Sequence, residues 1–440
     1  MFLELSSIYP FLTALLQILK NWWWVLLVFI LWKPFLFLYL WWRILGFLAR
    51  QRSVLLEIKL PKEILKPIRA METVLSGIQG AMYHPPDFWE KWIDGQVQLT
   101  FGIEMVSIDG DSHFFIRTPS KYRSSVESSF YAQYPEIEIT EVDDYTKYVP
   151  QSIPNKDWDL FGSNFKLWRD DHYPIKTYID FETEREKEEE EVVDPVAGLL
   201  EAMAKINKGE QLWIQFLLDP VGDADLPLSL SKWRKKGEEL RDKLARRPGP
   251  AAAKPIIQEA AGILITGKVP EAKKEEKEII PPEMKLTPGE REVLAAIEKK
   301  MAKPIFETTI RFIFLGRRDA WFKQNFRLVL SYFNQYANSN LNALYPDGKS
   351  LTKIHKSVFF PFLNMKFIRS RRQYLRARKL FRKYTNRFTP FFPMPGGTFM
   401  LNTEEVASLF HFPSERAAPA PGFPRIEAKK RGASPGLPVE

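Results

Sequence analysis

From Trp22 to Leu48 the chain is almost wholly apolar, and the centre of that stretch reads WWWVLLVFILWKPFLFLYLWW. As an α-helix, Trp22–Trp42 covers roughly 30 Å, the thickness of a bilayer's hydrocarbon core. Trp22, Trp23 and Trp24 stand at one end; Trp41 and Trp42 stand at the other. Indole rings favour the headgroup level, where the ring body is apolar and the N–H stays wet. The stretch is therefore expected to be a membrane-spanning helix over 22–48, anchored by those five tryptophans. It is too long, and too lacking in a polar face, for a buried core helix. Lys33-Pro34 interrupts it: a central Lys costs about 2.5–3.5 kcal/mol on insertion scales, and proline kinks a helix. A re-entrant hairpin with Phe11–Leu19 as a first arm stays open, and residues 1–21 read as an amphipathic lead-in.

A cleaved signal peptide does not fit. Glu4 stands where a basic cluster belongs, the apolar run is too long, and no A-x-A-like site follows. Arg43, Arg50, Arg52, Lys59 and Lys62 follow the span, while Lys20 alone lies just before it. By the positive-inside rule, the body after residue 50 is expected on the cytoplasmic side, held by a single pass.

The 440 residues allow one anchor and two or three further domains. A hydrophobic content of 45% is enough for real cores. The absence of cysteine excludes disulfides, thiolate zinc sites and cysteine nucleophiles. The net charge of +9 points to an anionic partner.

Val54–Leu60 alternates as a strand. Ile64, Leu65, Ile68, Met71, Leu75 and Ile78 recur at helical spacing. Gln96–Ile108 alternates again, Asp109-Gly110 signals a hairpin, and Ser112–Thr118 is the return strand. Tyr122, Val126 and Phe130 mark a second helix, and Glu136–Val142 a closing strand. The order is β-α-β-β-α-β, a ferredoxin-like arrangement over 54–146. A second such unit is expected over 165–413. Its parts are a strand at Ile175–Phe181, a helix through Val196–Ile206, strands at Leu212–Leu218 and Phe306–Leu315, a helix through Phe322–Tyr336, and a last strand at Thr398–Leu401. Two excursions interrupt it: a helical, low-complexity insertion at 229–304, and a basic one at 346–397. Residues 414–440 read as a disordered Pro-rich tail. The fold class is thus α+β: a transmembrane helix followed by tandem ferredoxin-like units.

Chemistry-bearing motifs are sparse. Gly262–Val269 matches P-loop spacing until Val269, which cannot supply the hydroxyl that holds Mg²⁺. His84, His113, His172, His355 and His411 are scattered, and Asp170-Asp171-His172 reads as a solvated loop. No catalytic residue, metal site or cofactor is expected, so the chain reads as a non-enzyme. The dense signal is basic. Gly348–Thr403 contains no Asp or Glu, and Ile368–Arg387 carries nine Lys and Arg. On a helix, Ala377, Leu380, Phe381 and Tyr384 share one face. Arg369, Arg371, Arg372, Arg376, Arg378, Lys379, Arg382 and Lys383 are the candidate contacts to nucleic acid or anionic lipid. Neutralisation by an acidic partner, or by the Glu-rich run at 182–191, is the third reading. Near the end, Asn402 and Glu405 form a capping box ahead of Leu409 and Phe410, a short apolar stripe that must dock either on its own domain or on a partner.

Four blocks in order, LLEIKLPKEILKPIRAME (55–72), HFFIRTPSKYRSSVESSFYAQYPEIEITEVDDYT (113–146), LTPGEREVLAAIEKKMAKPIFETTIRFIFLGRR (286–318) and LNTEEVASLFHFP (401–413), resemble a known family. They look like the membrane-anchored N-terminal region of bacterial conjugative-transfer, type IV secretion-like ATPases, in which a HerA/FtsK-like motor follows the Pro-rich segment. The resemblance implies an inner-membrane protein with a tandem α+β region. The motor's Walker residues have no counterpart in these 440 residues, so ATPase activity is not carried over and the ATPase is expected on a separate chain. The expected function is a non-catalytic, membrane-anchored module of a DNA-transfer system. Asn402, Glu405, Leu409 and Phe410 would serve partner docking, and the α+β units self-association. A membrane scaffold or adaptor unrelated to DNA is the alternative.

Overall fold

The computed structural model describes residues 2–61, 66–182, 194–222, 230–245, 286–354 and 364–413, apart from 393 and 395. Gly262–Val269, His355, most of the acidic run and the tail from 414 lie outside them. The chain divides into two compact units, Met1–Arg52 with His84–Gln98, and Ser53–Tyr83 with Leu99–Glu440.

The first unit is built on α1, one continuous helix over Phe2–Arg50. It passes through Pro34 and has no turn after Leu19, so the hairpin is not formed. Within it, Lys20–Arg50 is long and apolar enough to cross a membrane, and its most apolar window is unburied.

The second unit is a mixed α+β body around one nine-stranded antiparallel sheet. The strands are β1 Ser53–Lys59, β2 Phe101–Ile108, β3 Asp111–Pro119, β4 Glu138–Val142, β5 Trp158–Leu167, β6 Glu210–Val221, β7 Ile305–Arg317, β8 Leu344–Pro346 and β9 Phe399–Asn402. Their order is β4-β1-β3-β2-β6-β7-β5-β8, with β9 pairing the start of β7. The β2–β3 hairpin turns at Asp109 and Gly110, both at positive φ (56° and 95°), as an Asp-Gly pair allows. The two halves are continuous because β2 pairs β6 from Phe101↔Leu218 to Ile108↔Gln211.

Helices α2 Ile68–Met82, α3 Arg123–Gln133, α4 Pro195–Ala204, α7 Phe326–Asn334 and α9 Thr403–Leu409 cover one sheet face. Each presents an apolar stripe to it, such as Met71, Val74, Leu75 and Ile78 of α2. The insertion supplies α5 Leu230–Leu244 and α6 Pro288–Ala302, which pack on each other. The opposite face is covered by α8, Lys366–Thr385.

Three expectations need correction. Ile175–Phe181 is not a strand. The Ile175 amide donates to Glu405 Oε1 (3.0 Å), Thr177 to Asp180 Oδ2 (2.8 Å) and Tyr178 to Ser408 Oγ (2.8 Å), so side chains take the donors that a ladder would use. The lane falls to β5 instead. That strand is buried on both faces along most of its length, so its sequence shows no alternation. Phe399–Asn402 is a strand, but the edge beside β5 belongs to β8. The stripe proposed for partner docking is internal: Leu409 and Phe410 are fully buried, and Phe410 packs edge-on against Phe114 at 5.5 Å. The capping box itself is formed, with the Glu405 amide donating to Asn402 Oδ1 (2.8 Å) and the Asn402 amide to Glu405 Oε2 (2.9 Å). Glu405 also pairs with the buried Lys300 at 3.0 Å, which fixes α9 to α6.

Candidate functional site

The basic run folds as α8 because its apolar residues follow the helical period. Ala377, Leu380, Phe381 and Tyr384 lie on one face and join Leu160, Trp213, Ile313 and Leu315 of the sheet in a second core. Trp213 meets Tyr384 at 5.3 Å and Phe381 at 6.3 Å between ring centres. Burying that face contributes roughly 5–8 kcal/mol as an upper figure. The helix carries several like-charge pairs three or four residues apart, each costing about 0.3–0.5 kcal/mol. Burial therefore exceeds repulsion, and the helix holds its cations together.

Those cations divide by their position around the helix. Arg369, Arg376 and Lys383 recur every seven residues on one flank and are used internally. Arg369 donates to Ile354 O (3.0 Å), and Arg376 to Gly348 O and Leu351 O (both 3.2 Å). Lys383 donates to the carbonyls of Pro390 and Phe392. They clamp the segments on either side of α8 to its flank. Arg371, Arg378, Lys379 and Arg382 are exposed and Arg372 is half-buried. Among the described residues, no carboxylate pairs with any of these five. Arg371 lies over the Tyr374 ring at 5.7 Å.

Beside the clamped flank is a cleft of about 130 Å³, lined by Lys349, Ser350, Arg376, Lys379 and Lys383 with Asn164 of β5. Burial, then Lys379 and Arg311, push the Lys383 ammonium down to about 8. Arg311 is fully buried on β7, opposite Asn164 in register. Its Nη2 donates to Phe388 O, while Nε and Nη1 have no partner among the described residues. Burial lowers its guanidinium to about 10.

The C-terminal end of α8 is fixed by a buried knot that no local pattern announces. Arg387, at φ 54°, forms a fork on Glu104 of β2, with Nε to Oε1 at 3.0 Å and Nη2 to Oε2 at 3.1 Å. It also reaches Asp144, with Nη2 to Oδ1 at 3.1 Å. Glu104 further accepts from Tyr145 Oη (2.7 Å) and Gln215 Nε2 (2.6 Å). Burial alone would raise the Glu104 carboxyl, but Arg387 beside it holds it below its ordinary value.

The Asp170-Asp171-His172 loop is solvated only in part: Asp170 is exposed, but a tryptophan from the distant insertion covers His172. His172 is 3% exposed and stacks on Trp233 of α5 at 4.5 Å. Its Nδ1 meets Asp170 Oδ1 at 2.6 Å, and Nε2 donates to Trp233 O at 2.8 Å. Asp171 accepts from Trp233 Nε1 (3.1 Å) and from the Met400 amide (3.2 Å). Burial alone would lower the imidazole, but Asp170 and the Trp233 carbonyl hold it above its ordinary value. Both ring nitrogens are engaged, and the cluster clips α5 to β9. His113 pairs with Glu57 at 2.6 Å, and His411 with Asp194 at 2.8 Å; His84 is exposed.

One carboxylate on the α8 side of the sheet is costly. Asp219 of β6 faces Glu307 of β7 in register; Thr100 hydrogen-bonds its carboxyl, but Oδ1 is enclosed with no partner among the described residues. Burial pushes its carboxyl up to about 7. Below pH about 4 both folded and unfolded chains hold this proton. As pH rises from about 4 to 7 only the unfolded chain releases it, so stability falls, by at most about 4 kcal/mol in all. Asp219→Asn is expected to raise the unfolding midpoint at pH 8 and to leave it unchanged near pH 4. Melts at the two pH values check this; equal shifts at both would contradict it.

The family model described as "Domain of unknown function (DUF8128)" matches residues 90–420. That range takes in β2 through β9, α8 and the Arg387 knot. Comparison with curated proteins returns no match. By the extent of that match, the chain belongs to the DUF8128 family.

Proposed function

We propose that this chain is a membrane-anchored, non-catalytic module that presents a cationic helix to polyanionic nucleic acid. In this reading it belongs to a conjugative or type IV secretion-like transfer system and works with that system's P-loop ATPase. The observation that carries the reading is the outward face of α8. Five cations, with no carboxylate partner among the described residues, are fixed on a buried scaffold rather than left on a loose arm. Phosphate contacts from such a face are sequence-blind, because nothing in its geometry selects base edges. The apolar α1 and the arginines at 43, 50 and 52 support an inner-membrane anchor with the body on the cytoplasmic side.

The sheet order also supports two ferredoxin-like units. Each half has one order, β4-β1-β3-β2 and β8-β5-β7-β6, with two helices on the same face. We read the pair as an internal duplication joined edge to edge through β2 and β6.

The test uses the full chain in nanodiscs of zwitterionic lipid, with two duplexes of unrelated sequence, and separately anionic vesicles added to the detergent-solubilised chain. Equal binding to both duplexes is expected. Vesicle binding without DNA binding would overturn the nucleic-acid reading and leave a membrane scaffold.

A further inference from the structure

Residues 84–98 do not join the sheet; they form a compact unit with α1. The segment is closed at its base by the His84 amide donating to Gln98 Oε1 (3.0 Å). Residues 88–94 make a short helical turn, wound as a π-helix over Glu90–Asp94 and packed on α1. The Asp87 amide donates to Glu90 Oε2 (2.9 Å) at its start. Gly95 ends it at φ 71°, seated against the Arg43 backbone; a Cβ there would lie 2.3 Å from the Arg43 carbonyl carbon. Only glycine allows both that conformation and that approach.

The turn is amphipathic. Asp87, Glu90, Lys91 and Asp94 share one side, and Phe88, Trp89, Trp92 and Ile93 the other. The apolar side is uncovered: Phe88 is 65% exposed, Trp89 69% and Ile93 50%. Phe88 contacts Trp89 at 5.5 Å and Trp92 at 6.2 Å, so the rings form one patch. Clustered exposed aromatics mark a surface that something apolar covers. Arg43, on which the turn sits, directly follows Trp41-Trp42, the second tryptophan cluster of α1, and its guanidinium lies 5.6 Å from the Trp42 ring centre. A patch at that height along α1 is at the headgroup level, where tryptophan partitions best.

We propose that residues 84–98 form an interfacial element that inserts Phe88, Trp89 and Ile93 into the lipid headgroup–acyl boundary beside the point where α1 leaves the membrane. The inference rests on α1 spanning the bilayer. The element adds a second, in-plane hold to the single helix. Because Gly95 fixes it to Arg43, it also resists rotation of α1 about its axis.

The chain has no cysteine, so single cysteines can be labelled in an otherwise native background. Nitroxide is placed at Trp89→Cys and at Ile93→Cys. Controls are Asp94→Cys on the polar side of the turn, Ile30→Cys in the span and Lys156→Cys in an exposed loop of the sheet domain. The full chain is reconstituted in phosphatidylcholine–phosphatidylglycerol vesicles. Collision with oxygen is compared with collision with a water-soluble nickel chelate. Positions 89 and 93 are expected to shift toward oxygen, between Ile30 and Lys156, with Asp94 close to Lys156. Water-like values at 89 and 93 with a lipid-like value at Ile30 would overturn the proposal alone. A water-like Ile30 would overturn the membrane span and the proposal with it. Shielding of 89 and 93 from both probes would mean a protein surface covers the patch, and would also overturn it.

Discussion

Arg387→Met is expected to cost about 3–5 kcal/mol of unfolding free energy, the loss typical when one partner of a buried ion pair is removed. The side chains of Arg387 and Glu104 are 6% and 0% exposed, so water cannot replace the lost fork. Asp144 loses a partner in the same step. In the native protein the Glu104 carboxyl lies below its ordinary value, so its contribution is present above the unfolded carboxylate range and is lost as pH falls through the folded value. Without Arg387, burial dominates and the carboxyl moves up, so the variant recovers stability as pH falls. The gap between native and variant is therefore widest near neutral pH and closes in acid. Adding Glu104→Gln to Arg387→Met should recover part of the loss, because no buried charge is then left unpaired. Denaturant unfolding of the solubilised chain at pH 7 and pH 4 measures all of this. A loss below about 1 kcal/mol at pH 7 would mean that Arg387 does not hold the end of α8.

What the sequence disclosed, and what it hid, follows from the range of the interactions involved. The β2–β3 hairpin was legible because Asp109-Gly110 carries its own backbone requirement. The apolar face of α8 was legible because Ala377, Leu380, Phe381 and Tyr384 follow one period. The strand β5 was hidden because residues buried on both faces leave no alternation. Ile175–Phe181 imitated a strand because its alternation serves a segment whose amides are taken by Glu405, Asp180 and Ser408. The capping box at Asn402 was readable from four residues, but the direction in which Leu409 and Phe410 point depends on the whole core. The same holds for the basic helix. Its charge is plain, yet only the carbonyls of 348, 351, 354, 390 and 392 separate the clamping Arg369, Arg376 and Lys383 from the outward cations. The Arg387–Glu104 fork joins residues 283 positions apart and leaves no local trace.

Reversing the outward cations should have the largest effect on binding. Arg371, Arg372, Arg378 and Arg382 changed together to Glu remove four candidate phosphate contacts and add four repulsive charges. None of them takes part in the flank clamps or the second core, so the fold should persist. Duplex affinity at low salt is expected to fall by at least about a hundredfold, since each phosphate contact carries a share of counterion release. Arg376→Gln, by contrast, should loosen the 348–351 segment and change DNA affinity little.

The most direct measurement is the salt dependence of duplex binding by the native chain and the fourfold variant, both in zwitterionic nanodiscs. Four to five contacts predict a log–log slope of about −3.6 to −4.5 for the native chain. The variant should show a slope near zero and no measurable binding at moderate salt. Equal slopes and equal affinities in the two proteins would contradict the assignment of the α8 outward face as the polyanion-binding surface.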